Sequence, residues 1–177
     1  RLDRNTTGLL LIAKHPEVQY QIAKQDALVR EYLALIEGSL TPAEGTIDAP
    51  IGRHPSREWK MAIIEGGRES ITHYDVIEAM PGACLAEIHL ETGRTHQIRV
   101  HLAHGGHPIL GDEKYGDFTL NKVLDEMGHN RMFLHAFHLE MKHPKKDEML
   151  VLEAPMPAAF EAMLARFGVT ADAVQDE

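Results

Sequence analysis

A chain of 177 residues, 44% of them hydrophobic, is long enough for one domain with a real core, and it holds no apolar run long enough to cross a bilayer. A formal charge of -9 argues against a general nucleic-acid binder, because phosphate contact depends on Lys and Arg, although a local basic patch can override the total. The single cysteine, Cys84, excludes an intrachain disulfide and a thiolate metal site, which suits a reducing compartment; a cytoplasmic protein is expected.

Arg1-Leu2-Asp3-Arg4-Asn5-Thr6-Thr7-Gly8 sets one carboxylate between two arginines in a polar turn. The apolar run Leu9 to Lys14 behind it reads as a buried strand able to hold Asp3 in place. Taken alone, Asp3 reads first as a turn residue with a surface ion pair, worth about 0 to 1 kcal/mol. Pro16 opens a helix expected to run to Leu28, since proline is tolerated in the first turn. Arg30 to Glu37 is a strand closed by Gly38, with Tyr32, Ala34 and Ile36 on one face and Leu33 and Leu35 on the other. Apolar on both faces, it belongs in the middle of a sheet.

Thr41 to Gly67 is rich in Pro and Gly and reads as loop and hairpin. Arg53, His54, Arg57 and Lys60 lie there beside the single Trp59. They form either a solvated surface or a basic arm that touches RNA phosphates with an aromatic free to stack. Ile71 to Ala79 and Ala83 to Glu91 are strands joined by a turn, and Cys84 falls in line with Ala86, Ile88 and Leu90 as a small core residue. Gly93 to Gly106 reads as a helix with Thr95 near its N-cap and glycines at its end. Helical spacing puts Thr95, Arg99, Leu102 and Ala103 along one side with Ile98 adjoining, which leaves Arg99 beside or within the apolar stripe. A guanidinium there either reaches solvent or needs a carboxylate, for which a fixed loop residue such as Asp3 would serve.

His96, His101, His104 and His107 invite a zinc reading, but Gly105-Gly106 breaks the register between the last two and no carboxylate joins them. Solvent-facing or phosphate-contacting histidines fit better, and no metal is expected. A short helix follows at Asn121 to Met127, then strands at Arg131 to Met141 and Glu148 to Glu153, and an amphipathic helix at Ala158 to Phe167. The sum is an α+β domain with a mixed, largely antiparallel sheet, ending in an acidic tail over residues 169–177.

Five stretches, in order, resemble the motifs of the RluA-type pseudouridine synthases. They are Arg1 to Leu9 (RLDRNTTGL), Arg30 to Gly38 (REYLALIEG), Gly93 to His101 (GRTHQIRVH), His107 to Asp112 (HPILGD) and Phe133 to Ala136 (FLHA). Local features are similar to two branches that modify ribosomal large-subunit RNA, RluC in some stretches and RluD in others. The resemblance implies the pseudouridine synthase catalytic-domain fold over residues 1–168 and an isomerase that detaches uracil at N1, turns it and rejoins it through C5, with no cofactor. By position, Asp3 matches the essential aspartate, Tyr32 the active-site tyrosine and Arg99 the arginine paired with the aspartate. Arg1 matches the arginine that fills the gap left by a flipped nucleotide, and Phe133 and Leu134 the apolar wall beside the base. Arg4, Arg53, Arg57, Lys60, Arg94 and His96 are the expected RNA contacts. The expected partner is large-subunit ribosomal RNA, free or in an assembling subunit, with the protein a bacterial-type, cytoplasmic monomer. Family members carry a further portion of the catalytic sheet and a small RNA-binding domain ahead of the position of Arg1, so a preceding segment is expected. The rival reading is a non-catalytic RNA-binding module.

Overall fold

The computed structural model describes residues 2–25 and 28–170. In chain order the elements are β1 (Thr7–Gly8), α1 (Pro16–Ala23), β2 (Val29–Glu37), β3 (Glu44–Asp48), β4 (Ile51–Arg53), β5 (Met61–Ile63), β6 (Ile71–Met80), β7 (Ala83–Leu90), α2 (Gln97–His104), α3 (Phe118–Glu126), β8 (Leu134–Lys142), β9 (Met149–Glu153) and α4 (Ala158–Arg166). Strands β1, β8, β2, β7, β6 and β3 lie side by side in that order, β9 adds to β8, and β4 pairs β5 in a separate hairpin. All pairings are antiparallel except the short parallel match of β1 on β8. This is the α+β, mixed and largely antiparallel arrangement expected.

Strand β2 sits between β7 and β8, as its two apolar faces require. Leu33, Ala34, Leu35 and Ile36 are all buried, and Cys84 is a fully buried core residue in line with Ala86 and Ile88. Phe160, Met163 and Leu164 of α4 close the same core.

Leu9 to Lys14 does not form the expected buried strand. After Thr7 pairs with His135 and Gly8 with Ala136, Leu9 N–H still reaches the Ala136 carbonyl at 2.9 Å. Beyond that point the same edge of β8 is taken by β9, which pairs with it from His138 onward. The chain must leave the sheet, and Leu10, Leu11 and Ile12 are exposed. Gly8 permits the close approach: its φ is 99°, and a Cβ there would run into the Ala136 carbonyl oxygen.

Helix α1 stops at Ala23 rather than Leu28. Helix α2 begins at Gln97, and its N-cap is His96 in the left-handed conformation, φ 58°, not Thr95. The entry is tied instead by the buried Gln97 amide, whose Oε1 accepts from Arg94 N–H and Thr92 Oγ1–H while its Nε2 donates to Ile71 O and Thr72 Oγ1. Residues Gln97 to Leu102 are all buried, so α2 is enclosed on more than the one side its spacing suggested. Helix α3 starts earlier than expected because Asp117 caps it, accepting from the amides of Thr119 and Leu120. Strand β8 starts at Leu134, leaving Arg131 to Phe133 as its lead-in. The acidic tail falls mostly at residues 171–177, outside the described residues.

Candidate active site

The turn ahead of β1 is closed by Thr6 N–H on Asp3 O at 3.1 Å, with Asn5 in the left-handed region that Asn tolerates best among non-glycine residues. Behind it, Thr7 Oγ1 meets His135 Nδ1 at 2.9 Å and accepts from Arg131 Nη2 at 3.1 Å. The turn is thereby fixed to the sheet, and it sets the Asp3 carboxylate at the N-terminal part of α2. Arg99 Nη1 reaches Asp3 Oδ2 at 3.4 Å.

Asp3 is not the main partner of Arg99. That is Asp112, in the turn between α2 and α3, whose two oxygens take Arg99 Nε at 2.7 Å and Nη2 at 2.8 Å. Asp112 has no exposed surface and also accepts from the amides of Lys114 and Tyr115. Burial alone would raise its pKa, but these bonds and the adjacent guanidinium hold it below the usual carboxylate range. Burial likewise would lower the Arg99 pKa, and the hydrogen bonds and charge of Asp112, with Asp3 behind, raise it. The expectation that Arg99 needs a carboxylate was correct, and Asp112 is the residue it missed. Its only signal in the sequence was its place at the end of the His107 to Asp112 stretch, where nothing in the spacing points to α2.

A cavity of about 630 Å³ opens beside this triad, lined among others by Asp3, Tyr32, Arg30, Arg94, His96 and Leu134. The exposed run Leu10 to Ile12 forms part of its rim. Tyr32 reaches it from the centre of the sheet. Burial raises the Tyr32 pKa, and the charge of Asp3 adds to that while Arg30 opposes it, so the phenol stays protonated. His96 also faces the cavity. Its Nδ1 lies 2.7 Å from Tyr115 Oη, and burial lowers its pKa despite the pull of Asp3.

The structure gathers Asp3, Tyr32, Arg99, Arg94, His96 and Leu134 at this one place. Phe133 it does not: this ring is fully buried and packs edge-on against Phe160, 5.4 Å between centroids, because the lead-in to β8 turns it into the core. Arg4 is exposed on the turn. Arg53 and Arg57 are exposed on the β4–β5 hairpin, where Lys60 Nζ lies 5.0 Å from the Trp59 ring and 5.4 Å from that of Tyr115. The hairpin is tied to the site by Met61 N–H on Tyr115 Oη at 2.9 Å and by Lys114 Nζ on Trp59 O at 3.0 Å. Arg1 lies outside the described residues. Among the described residues no group of three or more His, Cys, Asp or Glu is placed to hold a metal ion, and no helix is long and apolar enough to cross a membrane.

A loop carboxylate in contact with a buried arginine and a tyrosine in the wall of the adjoining cavity form the candidate site. The model of the RNA pseudouridylate synthase family matches residues 1–104, more than half of the chain, and the chain belongs to that family. It is 43% identical over 169 residues to ribosomal large subunit pseudouridine synthase D of Nitrosomonas europaea, covering 93% of this chain and 49% of that protein. It is 40% identical over 177 residues to the protein of the same name from Pseudomonas aeruginosa, with 93% and 54% covered. The chain thus spans about half the length of the curated relatives it matches. Among solved structures, human RNA Pseudouridylate Synthase Domain Containing 1 superposes with a TM-score of 0.76 at 31% identity, over 89% of this chain and 67% of that one.

Proposed function

We propose that this protein converts uridines of large-subunit ribosomal RNA to pseudouridine, with residues 1–168 as its catalytic domain. The observation that carries the reading is the placement of Asp3, held over Arg99 at the mouth of a cavity walled by Tyr32. The volume, about 630 Å³, is in the range that encloses a small ligand such as a nucleoside.

A uridine must leave its stack before its sugar carbon can be reached, at a cost of a few kcal/mol. The Tyr32 ring gives the flipped base an aromatic surface, and Leu134 adds an apolar wall. Asp3, in contact with the Arg99 guanidinium, attacks or stabilises C1′ as the bond to N1 breaks. The detached base turns, C5 bonds to C1′, and the C5 proton is lost while N1 gains one, so the product is an isomer of the substrate and no cofactor is consumed. Tyr32 stacks on the base and is the candidate to take the C5 proton; burial raises its pKa, so acting as a base requires activation in the complex. Arg4, Arg53, Arg57, Lys60, Arg94 and His96 supply the RNA contacts, and a cytoplasmic monomer acting on free RNA or on an assembling subunit fits this assignment.

The test is release of tritium from C5-labelled uridine in large-subunit ribosomal RNA. Release that vanishes in Asp3→Asn supports the synthase. Binding of RNA without release, unchanged in Asp3→Asn, would instead mark a binding module.

A further inference from the structure

Tyr115 Oη stands between two nitrogens. Met61 N–H donates to it at 2.9 Å, and His96 Nδ1 lies 2.7 Å away. The hydroxyl has a single proton. If His96 carried its proton on Nδ1, Oη would accept twice and its own O–H would have no partner among the described residues. With Nδ1 bare, Met61 donates to Tyr115 and Tyr115 donates to His96, and both contacts of the hydroxyl are hydrogen bonds. Burial raises the Tyr115 pKa, which keeps that O–H in place. His96 Nε2 has no protein partner among the described residues, and the ring lines the cavity.

We propose that Tyr115 is a positioning residue that holds His96 in its Nε2–H tautomer, so that the ring offers a neutral N–H donor to an acceptor oxygen of the nucleotide beside Asp3. The ligand half of this inference rests on the cavity being the uridine site. Neutrality matters there. A protonated His96 would set a second cation next to Asp3 and compete with Arg99 for its carboxylate, whereas a neutral N–H orients the substrate and leaves the Asp3–Arg99 pair alone. The groups facing His96 are Asp3 from the first turn, Arg99 from α2, and Asp112, Lys114 and Tyr115 from the following turn; the two cations and burial disfavour its charged form and the two carboxylates favour it. His96 is the N-cap of α2 and holds a left-handed backbone, an uncommon conformation of the kind found at functional sites. The same hydroxyl holds Met61, the first residue of β5, so the hairpin bearing Arg57 and Trp59 and the donor in the cavity are positioned by one oxygen.

Nitrogen-15 spectra of the histidine-labelled protein test this, with His96 assigned from its absence in His96→Gln. At about pH 7.5 the expected signals are a bare Nδ1 and a protonated Nε2, with the ring still neutral somewhat below the ordinary histidine pKa of about 6.5. In Tyr115→Phe both tautomers are expected, the His96 titration moves up, and the acid limb of kcat/KM for tritium release moves up with it. His96→Gln, which keeps an N–H donor near the Nε2 position, is expected to retain about tenfold more kcat/KM than His96→Ala. A wild-type ring protonated on Nδ1, or a tautomer ratio and acid limb unchanged in Tyr115→Phe, would overturn the positioning role. Equal activity of His96→Gln and His96→Ala would overturn the donor role while leaving the synthase reading intact. No tritium release by the wild-type protein would remove the uridine site and the ligand half with it, and the tautomer would still stand or fall on the spectra alone.

Discussion

Two carboxylates meet Arg99, and they are held in opposite ways. Asp112 has no exposure, grips the guanidinium with both oxygens at 2.7 and 2.8 Å and takes two backbone amides as well. Asp3 makes one long contact of 3.4 Å, and its side chain keeps 17% of its surface open. On the proposed reading, the difference separates structure from chemistry. Asp112 satisfies the geometric demands of the buried cation, so that the Asp3 oxygens are not locked in strong bonds.

Asp3→Asn gives the largest expected effect on that division. Tritium release should fall by on the order of 10⁴-fold, as when a catalytic nucleophile is removed, while RNA affinity and melting temperature hold. Parallel loss of affinity would mean that Asp3 is a binding residue. Asp112→Ala should act on the fold: it leaves Arg99 buried without its main partner, a loss of about 3 to 5 kcal/mol in a urea titration. If Asp112→Ala were as stable as the parent, Asp3 would be the true anchor. Arg94, at the cavity, belongs to neither role. Arg94→Ala should raise KM, leave kcat unchanged and reduce the salt slope of RNA binding by about 0.7 to 1.

The smallest effect tests whether burial of polar groups is a property of the whole α2 region. His101 accepts from Thr72 Oγ1–H on Nδ1 and donates from Nε2 to Ala49 O, and burial lowers its pKa, as it does for His135. Unfolded histidines titrate near pH 6.5, so below that the unfolded chain binds protons that the folded one refuses. Stability should therefore be lost as pH falls below about 6.5, with a lower urea midpoint at about pH 5.5 than at about pH 7.5. Equal midpoints would contradict the neutral, buried state.

The sheet was legible wherever an apolar or alternating run is bounded by turn residues, as in β2, β6 and β7, and the need of Arg99 for an anion followed from its place on a helical stripe. What escaped depends on partners far away in sequence. Leu9 to Lys14 has the composition of a strand, yet whether it pairs is decided by β9, which occupies the edge it would need. Phe133 stands next to a cavity residue, yet the start of β8 turns it inward. Asp112 carries no pattern of its own, and its partner is 13 residues back. The left-handed His96 replaced the Thr95 cap because the Gln97 amide, a buried side chain, organises that corner.

The two-residue match of β1 on β8 has one further consequence. Asp3 is tethered to the body of the protein through Thr7, Gly8 and the Leu9 amide, a latch of very few bonds compared with the long ladders of β2 and β7. Such a corner can open by itself, at a free energy below that of global unfolding. Its amides, Thr6 and Leu9 among them, would exchange with solvent long before Leu35, and heating is expected to abolish the proposed tritium release while the sheet is still intact.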